Sequence, residues 1–390
     1  MSAATRRRLR EFRAPDEVGA ENRTWRVIRS AYLDRRTAPV RRPRWRLAVA
    51  PVLAVLVAAL VLSPAGASVR RLITQALGEK HAAPALFSLP SPGRILVAGP
   101  GGTWTAAADG STRRLGPWPQ ASWSPHGRFV AVASPDQLAA VDPHGTIRWE
   151  LARPGVSDPR WYVPSGYRVA YLSAGTLRVV AGDGTGDRLL ATGVARVAPA
   201  WRPGQPDGPY QLAYVTAGGR VVVRDAGGGR IVWSASPGMR PQELMWSADG
   251  RRLLVLSARQ ARIYSANGAR VSTLALPRGD TATDAALSPD GRKLALVLGG
   301  REVAVAGARA PAPTIRQVLA GPGVRAVSWS PDGRWLLVSW PAANQWVFVR
   351  VAGVPRVAAV SRIAQQFSSG GGRGFPQIEG WCCTARGQAG

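Results

Sequence analysis

The side chains with chemistry to offer are few in this 390-residue chain. It holds three histidines, His81, His126 and His144, and two cysteines, Cys382 and Cys383, which are adjacent. Two thiolates do not close a structural zinc site, and no histidine cluster joins them. Adjacent cysteines leave three states open: two reduced thiols, a vicinal disulfide, or a thiol kept for redox or partner chemistry. Oxidation is permitted outside the cytoplasm. His126 and His144 both fall in turn-like stretches, which gives them a turn role. Neither has a Ser or Cys nucleophile arrangement, and Gly-x-Ser-x-Gly, His-Glu-x-x-His and phosphate-loop patterns are absent. The 23 acids mostly sit in turns, and no carboxylate pair can be nominated from the sequence alone. Gly182 to Asp187 resembles a calcium loop faintly, through Asp183 and Asp187, but too few oxygen ligands are present and a plain β-turn is preferred. No catalytic residue, metal ligand or cofactor is expected.

The elements that carry these residues are repeated. SWSPDGRWLLVSW, from Ser328 to Trp340, pairs a proline-set turn with a run of β-formers apolar enough for burial on both faces. Gly333 is placed for the left-handed conformation of a bulged hairpin loop. The unit recurs around Trp123, Trp161, Trp201, Trp246 and Leu287, at spacings of 38, 40, 45, 41 and 42 up to Trp329. The turn residues are Ser124, Pro125 and Gly127; Asp249 and Gly250; Ser288, Pro289, Asp290 and Gly291; and Ser330, Pro331, Asp332 and Gly333. A short strand, an Asp/Asn-Gly-type turn and a final strand follow each unit. Four short strands per roughly 40 residues is the period of a propeller blade. A seventh blade is split: Arg94 to Gly116 supplies its later strands, and Phe375 to Thr384 its first, with Ala85 to Arg94 as the local rival. The fold class expected is all-β, a seven-bladed β-propeller over residues 85–384, with six and eight blades as alternatives. The recurring tryptophans are packing residues; Trp104, Trp340 and Trp346 break the pattern, and core or rim packing is preferred to a ligand surface for them.

The Ser-Pro-(Asp/His)-Gly-Arg turns at 124–128, 288–292 and 330–334 resemble those of TolB-type and WD-repeat-like bacterial propellers; the turn at 247–251 departs at the proline. The resemblance implies the fold and leaves activity open, since propellers host many functions. The Gly-His and Trp-Asp signature of the WD-repeat family proper is absent, which argues against that family.

Residues 47–69 form the one long uncharged apolar stretch, enough to cross a bilayer core of about 30 Å. A cleaved signal peptide ending at Ala65-Gly66-Ala67 is the rival. Residues 1–46 carry fourteen arginines against five acids, a net +9 of the chain's +28. The positive-inside rule places this tail in the cytoplasm and the propeller outside. Within the tail Val18, Trp25, Ile28 and Tyr32 share one face at helical spacing, which suits either the inner leaflet or a cytosolic partner. Residues 70–84 read as a juxtamembrane helix and linker, and 385–390 as a tail.

Basic charge is spread along the rest of the chain and is almost all arginine. It fits an anionic or protein neighbour as well as a coding bias, and no nucleic-acid motif accompanies it. The function expected is a non-enzymatic, membrane-anchored binding or scaffold module acting outside the cytoplasmic membrane. The alternative is a transmembrane signalling regulator, anti-sigma-like, whose tail captures a cytosolic partner.

Overall fold

The computed structural model describes residues 88–163, 165–204, 208–276, 279–308, 315–368 and 374–383, with the backbone of 82–83. The tail, the apolar stretch 47–69 and the proposed docking face of Val18, Trp25, Ile28 and Tyr32 lie outside the described residues. Among the described residues no helix is long and apolar enough to cross a membrane.

Seven sheets follow one another, each built on four antiparallel strands in a simple meander except the first, and the seventh carries a fifth strand. Blade 1 pairs Gln377–Cys382, from the far end of the chain, with Arg94–Ala98, which then pairs with Thr103–Ala106 and Thr112–Gly116. The distant segment therefore supplies the first strand. Ala85 to Arg94 does not, because its described part, residues 88–93, is irregular. Blades 2 to 7 begin with Gln120–Trp123, Val156–Trp161, Ala200–Trp201, Glu243–Trp246, Ala282–Leu287 and Ala326–Trp329. Each of these first strands touches the first strands of both neighbouring blades, so the seven close into a ring around a channel. Closure through Gln377–Cys382 ties the chain ends together. A two-residue strand, Ala82–Ala83, adds in parallel to the outer strand Arg356–Ser361 of blade 7. Pairing thus begins slightly before residue 85.

Burial follows from this geometry. The second strand of each blade is sandwiched between neighbouring blades, so it is apolar on both faces: Trp335–Trp340 is buried throughout, as are Gln211–Val215 and nearly all of Val130–Ser134. Outer strands see solvent and mix exposed with half-buried positions, as in Ile147–Ala152. The tryptophans at the repeat position are buried, and Trp381 takes that position in the closing strand. Trp340 and Trp346 are buried as well, and half-buried Trp104 meets Phe367 edge-on at 6.1 Å, so all three pack the interior.

The repeated turn has one internal logic. In blades 5, 6 and 7 the serine Oγ donates to the aspartate two residues on, at 2.5, 2.6 and 2.5 Å. The same oxygen accepts the N–H five residues on, from Arg252, Lys293 and Trp335, at 3.1, 2.9 and 2.9 Å. The aspartate accepts the N–H of the arginine that follows the glycine, at 3.0 Å each time. Gly250, Gly291 and Gly333 sit at φ of +64°, +61° and +66°, where a side chain is strained.

Candidate functional site

In an antiparallel blade, the turns joining the first strand to the second and the third to the fourth emerge at one face of the ring. The blade 2 turn, Ser124 to Arg128, belongs to that face. Its Ser124 Oγ accepts the Phe129 N–H at 2.9 Å, as its sisters do, but the aspartate slot holds His126. His126 sits in the turn as its sequence position implies, yet its exposed ring makes no hydrogen bond there among the described residues. The turn therefore lacks the carboxylate that offsets the arginine in blades 5, 6 and 7.

Two clefts flank this turn and share His126 and Arg128. The first, about 500 Å³, lies between blades 1 and 2 and is lined by Arg94, Arg113, Arg128, His126 and His144, with Thr105 and Ser111 among the remaining walls. Among the described residues no carboxylate lines it and none of the three arginines is in an ion pair. Arg94 is held in place: its Nη2 donates to the Gly127 carbonyl at 2.7 Å, and its guanidinium lies 5.0 Å from the centre of the Trp123 ring. Burial lowers its pKa from the usual arginine value. His144 is presented by a turn that Asp142 organises, accepting the N–H groups of His144 and Thr146 at 2.8 and 3.0 Å and pairing with Arg148 at 2.7 Å.

The second cleft, about 760 Å³, lies between blades 2 and 3 and has an aromatic wall: Phe129, Trp149, Trp161 and Tyr167. Phe129 stacks on Trp161 with ring centres 6.5 Å apart. The Trp149 Nε1 donates to the Gly182 carbonyl at 2.8 Å. Tyr167 is 59% exposed. At its edge Asp183 accepts the N–H and hydroxyl of Thr185, the plain turn expected. Asp187 turns away to pair with Arg178 and Arg153 at 2.7 and 2.8 Å and to accept the Tyr171 hydroxyl. Both carboxylates are thus committed to protein partners, and among the described residues no cluster of histidine, cysteine and acid is placed to hold a metal.

Cys382 and Cys383 form a vicinal disulfide in the closing strand and just beyond it. They follow Trp381 as serine and proline follow Trp329 in blade 7, and their sulfurs lie against the Ser124 and Pro125 carbonyls of the neighbouring turn. The disulfide thus abuts the turn that separates the two clefts.

The channel holds the acids that sequence reasoning passed over. Each first strand is an edge strand whose inner N–H groups lack a sheet partner. Side chains of the preceding blade fill that need: Gln120 Oε1 accepts the Asp158 N–H at 2.8 Å, and Asp284 Oδ2 accepts the Val327 N–H at 2.8 Å. Glu243 likewise receives the Ala285 N–H. Burial raises the pKa of Asp284 to about 7 despite these bonds, and that of Glu379 to about 7 despite the charge of Arg160. Burial, then the neighbouring Asp284 charge, raises Glu243. Because the partners lie one repeat away, local spacing does not reveal them. The grouping of Arg94, Arg113, His126 and His144 was equally invisible; histidine in an aspartate slot was its one sequence signal. Basic charge is thus locally concentrated, where the sequence reads as evenly spread.

Residues 314–347 match the family described as WD domain, G-beta repeat. This stretch runs from the outer strand of blade 6 into the third strand of blade 7, and it matches although the Gly-His and Trp-Asp signature is absent. That result runs against the expectation drawn from the missing signature. No curated protein matches the chain. Among solved structures, the β-propeller domain of Myceliophteria thermophila Cps50 (Swd1) is 18% identical with a TM-score of 0.54, covering 63% of this chain and 90% of that one. A chain of the mitotic checkpoint complex is 20% identical with a TM-score of 0.56, covering 70% and 90%. The ring of seven sheets and the matched repeat make this chain a seven-bladed β-propeller with a WD40-type repeat.

Proposed function

We propose that this chain is a non-enzymatic binding or scaffold module for a protein partner, a propeller held at the outer side of the cytoplasmic membrane by residues 47–69. The observation that carries the reading is the pair of open clefts on one turn face, one lined by arginines outside any ion pair among the described residues and the other walled by aromatic side chains. The acids that would be needed for general acid–base work are instead spent on the channel wall. The WD40-type repeat supports a protein partner, and the Ser-Pro-Asp-Gly-Arg turns keep the TolB-type resemblance. Orientation rests on the arginines at 41, 42, 44 and 46 beside the apolar stretch.

A second reading, a transmembrane signalling regulator, is favoured by the apolar face of Val18, Trp25, Ile28 and Tyr32 close before the anchor. Cross-linking the intact protein in its own cells, with partners identified separately for residues 1–46 and for the propeller, tests both. Reproducible partners on the propeller with a bare tail support the module. A cytosolic partner on the tail, lost in Trp25→Ala, supports the regulator. Cleavage of the propeller by protease added to intact cells checks its location; full protection sinks the exterior placement.

A further inference from the structure

We infer that the two clefts flanking Ser124 to Arg128 bind an acidic peptide segment with an apolar side chain next to its carboxylates. This rests on the reading of the propeller as a protein-binding module and names the chemistry of the partner.

The argument begins with an internal comparison. Arg202, just past the first strand of blade 4, makes the same contacts as Arg94, which opens the second strand of blade 1: its Nε donates to the Gly250 carbonyl at 2.7 Å, and its guanidinium lies 5.7 Å from the Trp246 ring centre. There the neighbouring turn carries Asp249. At the blade 1–2 boundary the equivalent turn carries His126. The turn thus carries a carboxylate at one boundary and none at the other, where Arg113 and Arg128 add further positive charge to the cleft. Charge complementarity calls for an acidic occupant.

The adjoining cleft decides what kind. It continues from His126 and Arg128 into a wall of Phe129, Trp161 and Tyr167, so one ligand reaching both must present an anionic and an apolar part. An inorganic anion fills neither the length nor the apolar half. A flat lipid surface does not follow a concave site. A base-stacking ligand needs free ring faces, but Phe129 and Trp161 stack on each other and Trp149 is covered by the chain at Gly184, where an added Cβ would lie 2.7 Å from its ring. A peptide chain supplies carboxylates and an apolar side chain at adjustable spacing.

The test uses the full chain in mild detergent and a short fluorescein-labelled peptide of Glu and Asp around one Trp, followed by anisotropy. Binding is expected to weaken with salt. It should fall at least about tenfold in His126→Asp and in Arg128→Glu, each of which adds a carboxylate to the rim. His126→Asp only installs the residue its sister turns carry, so it should fold normally. Tyr167→Ala, or Gly in place of the peptide's Trp, should weaken binding too. Arg301→Glu and Arg325→Glu, on turns of the opposite face, should leave it unchanged. Equal losses from those two, or unchanged binding in the cleft variants, overturn the proposal. So do cleft variants that abolish binding of a single-stranded oligonucleotide or of anionic vesicles while sparing the peptide. A partner cross-linked to the propeller that survives both cleft variants refutes the cleft and leaves the module reading standing. Absence of any propeller partner strikes the module reading instead.

Discussion

Asp284 is the place to test the account of the channel. Its carboxyl is pushed from the ordinary 3.8 to about 7, chiefly by burial, against the opposing pull of the N–H groups of Val327 and Ala285. A carboxyl whose folded pKa is raised holds a proton that the unfolded chain releases. Its contribution to stability is complete below the unfolded value near 4 and is lost as pH rises through about 7. At 1.36 kcal/mol per unit, a rise of about three units corresponds to about 4 kcal/mol; screening by channel water brings this to about 2 to 4 kcal/mol. Asp284→Asn removes the ionisation and keeps an oxygen for the Val327 N–H. The variant should match the parent at pH 4.5, where the aspartate is largely protonated. By pH 8 it should be more stable by about 2 kcal/mol, an upward shift of about 3 °C in Tm for a domain of this size. Relief of the repulsion on Glu243 acts in the same direction. Melting both proteins across that pH range by scanning fluorimetry gives the answer. A difference that stays constant from pH 4.5 to 8 refutes the reasoning, because it would mean that Asp284 ionises alike in both states.

Three further outcomes follow from the same structure. Gly291→Ala should destabilise the propeller by more than about 1 kcal/mol in chemical unfolding, because φ is +61° and the added Cβ would lie 2.7 Å from the Ser247 Cβ. Asp187→Asn should cost about 2 kcal/mol near neutral pH, since it leaves Arg178 and Arg153 facing a neutral group; burial opposes ionisation of Asp187 but its hydrogen bonds and the arginines prevail and lower its pKa, so the parent's advantage should shrink as pH falls below about 4 in the same unfolding assay. Thiol titration of the unfolded protein should find no free cysteine without reductant and two after reduction, as the Cys382–Cys383 bond requires; two free thiols without reductant would contradict it.

The repeat was legible in the residues themselves because its causes are local. Serine, aspartate and glycine at fixed offsets make their own hydrogen bonds within one turn, and the β-run after Gly333 needs only its own composition to be a doubly buried strand. Trp381 before Cys382 marks the closing strand by the same pattern, so the seventh blade was within reach of the sequence. What tertiary structure decided are the contacts one repeat or a whole ring apart. Asp284 meets Val327 across 43 positions, and Cys383 meets Pro125 across 258. Arg94, His126 and His144 share a cleft only because neighbouring blades present the same turns at one face. Strand period and turn chemistry are written in consecutive residues, whereas the juxtaposition of blades exists only once the ring has closed.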